Sequence, residues 1–229
     1  MSTAQATVQN APLRTHLTLK GSVALVSDFL SFGIQSILFQ REIYPSDDFK
    51  MVKKFNTQVL TTIDEGLREY LERAMLQVQQ WLTEGQVRRI VLAIVEKETQ
   101  ETVERWQFDI DVVNKGTDEA NDGKENSDPE KKAQPNNTKK TDQQVKNEIG
   151  AIIKQITASC TFLPMLQEPC AFTILAYTDL QTKVPLEWSE SDARLISEGQ
   201  AEQVKLRSFS THVHNVDALV AYRRTDEDE

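Results

Sequence analysis

The sequence predicts an α+β domain, a mostly antiparallel sheet packed on three helices, and three observations carry that prediction. Apolar residues at Val145, Ile149, Ile152, Ile153, Ile156 and Cys160 recur at intervals of three and four, which lines one stripe of a helix. A β-rich run at 170–177 follows as soon as Phe162-Leu163-Pro164 has stopped that helix, with Phe172, Ile174 and Ala176 set against Thr173, Leu175 and Tyr177. A strand apolar on both faces behind an apolar helix implies a central sheet covered by helices. Residues 89–95 and 102–113 are two further β-rich runs around the polar turn 97–101, which reads as a hairpin.

The remaining elements follow in chain order. Residues 1–16 read as a flexible arm, and Leu17-Thr18-Leu19 as a short strand-like piece. From 22 to 40 the chain is apolar on most faces (Val23, Leu25, Val26, Phe29, Leu30, Phe32, Ile34, Ile37, Leu38, Phe39), the pattern of a central buried helix. Pro45 ends that region and 58–63 reads as a short strand. A second helix has Asp64 as its N-cap, Glu65 at the positive end of the dipole and Gly85 as its closing residue. Leu67, Leu71, Ala74, Val78 and Trp81 form its core stripe.

Residues 114–142 contain Gly, Asn, Asp, Lys, Pro and Ser but no large apolar side chain, and so read as a disordered loop within the domain 17–229. Beyond Asp179 the chain is irregular, with Pro185 and Trp188, and turns β-like again from Val204. There the alternation changes phase, from Val204 and Leu206 to Phe209, Thr211 and Val213. A β-bulge is the simpler reading, and use of the segment in two registers the other.

Composition narrows the function. The chain has 229 residues, enough for one large domain, and 26 basic against 35 acidic side chains give a net charge of −9. Only short basic runs occur, such as Lys53-Lys54 and Arg88-Arg89, so nucleic-acid binding is not expected. Two cysteines, no segment expected to span a bilayer and no signal-peptide pattern imply free thiols in a reducing compartment and no membrane. The glycosylation pattern Asn136-Asn137-Thr138 is then idle.

No phosphate loop, nucleophile elbow or metal-spaced Cys/His cluster is present, so neither enzyme activity nor a cofactor is expected. His212 and His214 share one face of the expected strand but lack a third ligand, which favours a structural or exposed role. Asp109 and Asp111 read as the solvent face of a half-buried hairpin strand. Cys160, on the apolar stripe, reads as a small buried hydrophobe and Trp81 as core. Trp106, among charged neighbours, is open equally to recognition and to packing.

Four long segments, read together, resemble one family. They are "GSVALVSDFLSFGIQSILFQREIYP" at 21–45, "VERWQFDI" at 103–110, "IIKQITASCTFLPMLQEPCAFTILAYTD" at 152–179 and "VKLRSFSTHVHNVDALVAY" at 204–222. Their order and wording resemble the HORMA-domain family, in particular its spindle-checkpoint branch.

The resemblance implies a peptide-capturing switch without a cofactor, with mobile N- and C-terminal strands. A partner's motif would add to the strand 170–177, using Cys170, Phe172, Ile174, Leu175, Ala176, Tyr177 and Trp188, while a belt, 178–229, wraps over it. Leu19, Leu219, Val220 and Tyr222 would hold the segments that exchange places between an open and a closed form. Trp106, Lys154, Gln155, Thr161, Phe162 and Arg207 would form the surface on which an open and a closed copy pair. Lysine replaces the family's usual arginine at Lys154, keeping the charge without bidentate hydrogen bonding.

Implied partners are the activator subunit of the anaphase-promoting complex, a coiled-coil kinetochore receptor and an AAA+ remodelling ATPase with its adaptor. Implied locations are nucleus and cytoplasm, with kinetochores in mitosis. Within the family the alternatives are an accessory subunit of a translesion DNA polymerase and a meiotic chromosome-axis protein.

Overall fold

The computed structural model describes residues 17–113, 140–197 and 199–224. Its first element is helix α1 (Leu19–Gln40), capped by the Thr18 hydroxyl, which accepts from the Gly21 amide at 3.2 Å. The expected strand at 17–19 is therefore replaced by a helix start, because Thr18 supplies a cap oxygen just before an apolar run. Val26, Phe29, Leu30, Ile34, Ile37 and Leu38 are completely buried, which makes α1 the central helix. Contrary to the sequence expectation, its 22 residues are long and apolar enough to cross a bilayer, but here that surface is packed against protein.

A 3-10 turn (Ser46–Asp48) leads into the antiparallel pair β1 (Phe49–Lys54) and β2 (Thr57–Thr62). Helix α2 (Glu65–Glu84) carries both predicted caps. Asp64 accepts from the Leu67 amide at 2.6 Å, and Gly85 closes the helix in the left-handed region at φ 68°. The whole predicted stripe, from Leu67 to Trp81, is buried. Strands β3 (Val87–Glu96) and β4 (Thr102–Val112) form the predicted hairpin, with Arg89 opposite Asp109 and Ile94 opposite Glu104.

Helix α3 (Asp142–Ala158) opens with a capping box between Thr141 and Gln144. The end of the expected loop 114–142 thus belongs to the fold, and Lys140 also pairs with Glu148 at 2.8 Å. Residues 114–139, the arm 1–16 and the tail 225–229 lie outside the described residues. The helix stops sooner than the stripe implied. Cys160 falls in a 3-10 turn (Ser159–Thr161), whose tighter winding takes it off the buried face and leaves it exposed. Both cysteines are free thiols.

Four more strands complete the sheet: β5 (Cys170–Thr178), β6 (Ala201–Lys205), β7 (Phe209–Ser210) and β8 (His214–Arg223). The order is β5-β3-β4-β8-β6 with β7 also beside β8, and every pairing is antiparallel. Even-numbered residues of β3, β4 and β8, such as Leu92, Trp106, Phe108 and Val220, enter the core. There Phe29 of α1 meets the rings of Phe108 and Phe209 edge-on at 5.6 and 5.0 Å. The strands buried on both faces are β3, where Ile90 to Glu96 are all buried, and β4, where Thr102 to Phe108 are; β5, expected to be such a strand, lies at the sheet edge.

The phase change after Val204 is resolved by register. Lys205 faces Leu219 and Phe209 faces Val216, so one more residue is used on the β6–β7 side than on β8. Arg207 and Ser208 therefore share the space opposite Asp217, as a bulge requires.

His214 fastens β8 to the helices. It is 1% exposed, and its Nδ1 lies 2.7 Å from the Ser22 hydroxyl, itself 2.6 Å from that of Thr211. A backbone hydrogen bond to Leu82 of α2 engages the ring as well. A neutral ring satisfies both contacts, and burial lowers its pKa below the usual histidine value, opposed in part by the Leu82 bond. Below about pH 6.5 the unfolded chain gains this proton more readily than the folded one, so stability falls on acidification. Melting curves from pH 8 to pH 5 should show this loss in the native protein and a shallower one in His214→Gln. Parallel slopes would remove His214 from the acid response.

Candidate functional site

Strand β5 is paired with β3 along its length, and the Pro169 and Gln86 carbonyls, accepting from Lys97 and Asp179, continue the ladder at both ends. In such a ladder alternate residues turn their amide and carbonyl towards the partner. The odd positions face β3, so Cys170, Phe172, Ile174, Ala176 and Thr178 point their backbone groups outward. Among the described residues no strand lies beside them. One outward group is engaged: the Ile174 backbone hydrogen-bonds the Tyr70 hydroxyl, whose pKa is raised by burial and pulled back by that bond. An unpaired edge of this length is a template for strand addition.

Side chains on the two sides of β5 differ. On the helix side Phe172 meets Tyr44 at 6.2 Å and Tyr70 of α2 at 5.7 Å, while Ile174 is buried and Cys170 and Ala176 are partly so. Leu175 and Tyr177 lie on the outer side. The expected grouping of Tyr177 with Phe172 and Ile174 is thus corrected, because alternation along the strand sends it through the sheet. On the outer side Tyr177 sits between the Arg89 and Arg105 guanidinium groups, 5.6 and 5.9 Å from its ring centre.

The described residues after β5, 179–197 and 199–200, have no regular structure. It begins at the end of β5, where Arg88 reaches Asp179 at 3.1 Å, and then touches α2. The Trp81 indole donates to the Lys183 carbonyl at 3.4 Å, and Trp188 packs edge-on against Trp81 at 5.1 Å. Five residues later the Ala193 carbonyl accepts from Arg105 at 3.4 Å and from the Tyr177 hydroxyl at 3.5 Å, on the opposite side of the sheet. The segment therefore passes from the helix side to the outer side next to the open edge of β5. Leu180, Val184, Leu186 and Leu195 along it are exposed. The result is a loop with apolar side chains that passes beside the outer edge of β5.

A second surface lies across the molecule. Lys154, Thr161 and Arg207 are exposed, and Phe162 is 41% exposed against Tyr222. The Gln155 side chain accepts from the Arg207 amide at 2.8 Å, tying α3 to the bulge. Trp106, expected with this group, is instead 1% exposed in the core, its indole donating to Glu104 at 3.0 Å. Even position in β4 decides this, since it points Trp106 to the helices. The packing alternative is the one the structure adopts.

Among the expected switch residues, Val220 is buried, Leu219 is partly exposed on the outer face, and Tyr222 donates to Glu202 at 2.8 Å. Leu19 is half exposed in the first turn of α1 and belongs to no strand. His212 precedes β8 and bonds the Lys140 carbonyl, so the two histidines do not share a strand face. Asp109 binds Arg89 while Asp111 is exposed, and among the described residues no three His, Cys, Asp or Glu side chains converge as a metal site. Sequence reading missed Tyr44, Tyr70 and Arg105. Tyr70 gave a signal, being a large aromatic just off the α2 stripe.

A family model described as "HORMA domain" matches residues 22–214. The chain belongs to the HORMA-domain family. It is 40% identical to the "Mitotic spindle checkpoint component mad2" of Schizosaccharomyces pombe over 216 residues, covering 94% of this chain and 98% of that protein. It is also 41% identical over 207 residues to the human "Mitotic spindle assembly checkpoint protein MAD2A", covering 90% and 93%. The solved structure "Crystal Structure of Mitotic Checkpoint Complex" contains a chain with TM-score 0.75 and 39% identity, covering 89% of this chain and 99% of that one. HTP-1 of C. elegans bound to an HTP-3 motif has the same HORMA fold at 13% identity, with TM-score 0.70 and coverage of 90% and 91%.

Proposed function

We propose that this protein acts by closing its irregular segment, 179–200, over a short peptide added to the edge of β5, and so delays anaphase. Its function lies in the spindle checkpoint, as the near full-length relatives indicate. The observation that carries the capture reading is an unpaired β5 edge beside a loop that crosses from one side of the sheet to the other. Backbone pairing supplies affinity, while the Phe172–Tyr44–Tyr70 cluster and the exposed belt leucines supply apolar selectivity.

The partners that fit are the activator subunit of the anaphase-promoting complex and a coiled-coil kinetochore receptor, met in nucleus, cytoplasm and at kinetochores. With β8 seated between β4 and β6, the described arrangement corresponds to a closed form. In an open form the C-terminal segment would cover the β5 edge itself, and an AAA+ ATPase with its adaptor would drive that return. A polymerase subunit is the weaker reading, since that relative aligns with only 43% of this chain.

A fluorescein-labelled peptide carrying the activator's motif should bind one-to-one, and mitotically arrested cells should yield the activator with the tagged protein. Lys154→Ala with Phe162→Ala should leave capture intact but make the protein monomeric in sedimentation. Absence of peptide binding would refute capture. Loss of both properties in the double variant would show that the two surfaces are one.

A further inference from the structure

From the geometry we infer that Arg105 is a positioning residue that latches the belt to the outer face of the sheet and thereby sets how long a captured peptide is held. This rests on the capture reading and adds to it the residue that keeps the loop shut. The sequence presents Arg105, Gln107, Asp109 and Asp111 as the wet face of a hairpin strand. Only the Asp111 end is exposed; Arg105 and Gln107 are each 7% exposed, and Val91 and Ala93 beside them are completely buried. Two charged or amide side chains held out of water need full sets of partners.

Their partners form one closed circuit. Arg105 donates to the Gln107 side-chain oxygen Oε1 at 2.5 Å, and Gln107 Nε2 donates to the Asp109 carboxylate at 2.7 Å. Asp109 binds Arg89, Arg89 faces the Tyr177 ring, and Arg105 donates to the Tyr177 hydroxyl at 3.0 Å. The circuit has one external acceptor within reach of both Arg105 and Tyr177, and that is the Ala193 carbonyl. Next to it Arg194 donates to the Gln100 carbonyl at 3.3 Å, at the turn between β3 and β4. Between the Trp188 contact with Trp81 and this point the belt makes no hydrogen bond or ion pair to another element among the described residues. A guanidinium already held by its bonds to Gln107 and Tyr177 gives the belt a rigid seat. Release of a peptide enclosed by the belt then requires this seat to open.

The test uses Arg105→Met in the full chain, with Arg105→Lys and Tyr177→Phe beside it. Tyr177→Phe keeps the ring between the two guanidinium groups and removes only the hydroxyl, so it guards against a variant that fails to fold. Stopped-flow release of the fluorescein-labelled activator peptide should be about tenfold or more faster in Arg105→Met, the loss expected for charged hydrogen bonds. Association should stay within about twofold, since entry precedes latching. Arg105→Lys, keeping charge without the fork, should be intermediate, and Tyr177→Phe should shift in the same direction with an unchanged melting temperature.

Without peptide, trypsin should cleave the Arg194–Leu195 bond faster in Arg105→Met, read by fragment mass. That arm decides the latch even where the native protein captures no peptide, an outcome that would sink the capture reading alone. Unchanged cleavage overturns the latch, as does unchanged release from folded variants or an equal slowing of association.

Discussion

Ending the chain after Asp217 should weaken peptide capture by at least about 100-fold, a loss of roughly 2.7 kcal/mol. The deletion removes Ala218 and Val220 from the core, Tyr222 from its place on Phe162 and its bond to Glu202, and most of the partner of β6. The far end of the belt then loses its hold, since among the described residues β6 is joined to the sheet through β8 alone. Helices α1 to α3 with β3, β4 and β5 keep their mutual packing, so far-ultraviolet circular dichroism should still report a folded protein. Anisotropy titration of the labelled peptide makes the measurement. Removing only 226–229, which carries nothing but charged side chains, should change affinity less than about twofold. Affinity retained within tenfold after the longer deletion would mean that the belt is held by something other than β8.

Glu104→Ala should be the most damaging single change to stability. Arg41 and Glu104 are 2.5 Å apart with side chains 6% and 2% exposed, and Glu104 also receives the Trp106 indole. Burial pushes the Glu104 carboxyl above its ordinary range, and Arg41 opposes that shift. Removing one member leaves an uncompensated buried charge and costs about 3–5 kcal/mol. For a chain of this size that lowers the melting temperature by about 6–20 °C. Arg41→Met added to Glu104→Leu should recover only part of the loss. The apolar pair removes the stranded charge, but the Pro164 carbonyl, which accepts from Arg41 at 2.5 Å, loses its donor. A melting temperature within 2 °C of native for Glu104→Ala would show that water reaches the pair.

Much of the fold was legible because its signals are local. The ends of α2 are written in Asp64 and Gly85, and the hairpin in two apolar runs around a polar turn. Even the bulge could be read from the shift between Val204 and Phe209. What failed depended on distant neighbours. Local sequence leaves Trp106 open equally to recognition and to packing, yet Glu104, Arg105, Trp106 and Gln107 are all buried, the even pair against the helices and the odd pair on the outer side, where Arg105 meets the belt. Tyr177 belongs with the belt through Ala193, sixteen residues on, which no spacing reveals. Cys160 was misplaced because a helical stripe carries no mark of the point where α winding tightens to 3-10. The candidate edge could be named from the resemblance, whereas the circuit around Arg105 exists only in the folded chain, where β4, β5 and the belt meet.

The belt's passage around the β5 edge has a kinetic meaning. A strand lying there would be encircled by the protein's own backbone, from Asp179 to β6, and could not slide off sideways. Departure then waits for an event inside the captor, so residence time becomes a property of the host and not of the guest. Partners of unlike sequence would leave at one shared rate and be told apart only on arrival. Such a device behaves less like a balance than like a timer, committed once set until work is done to reopen it.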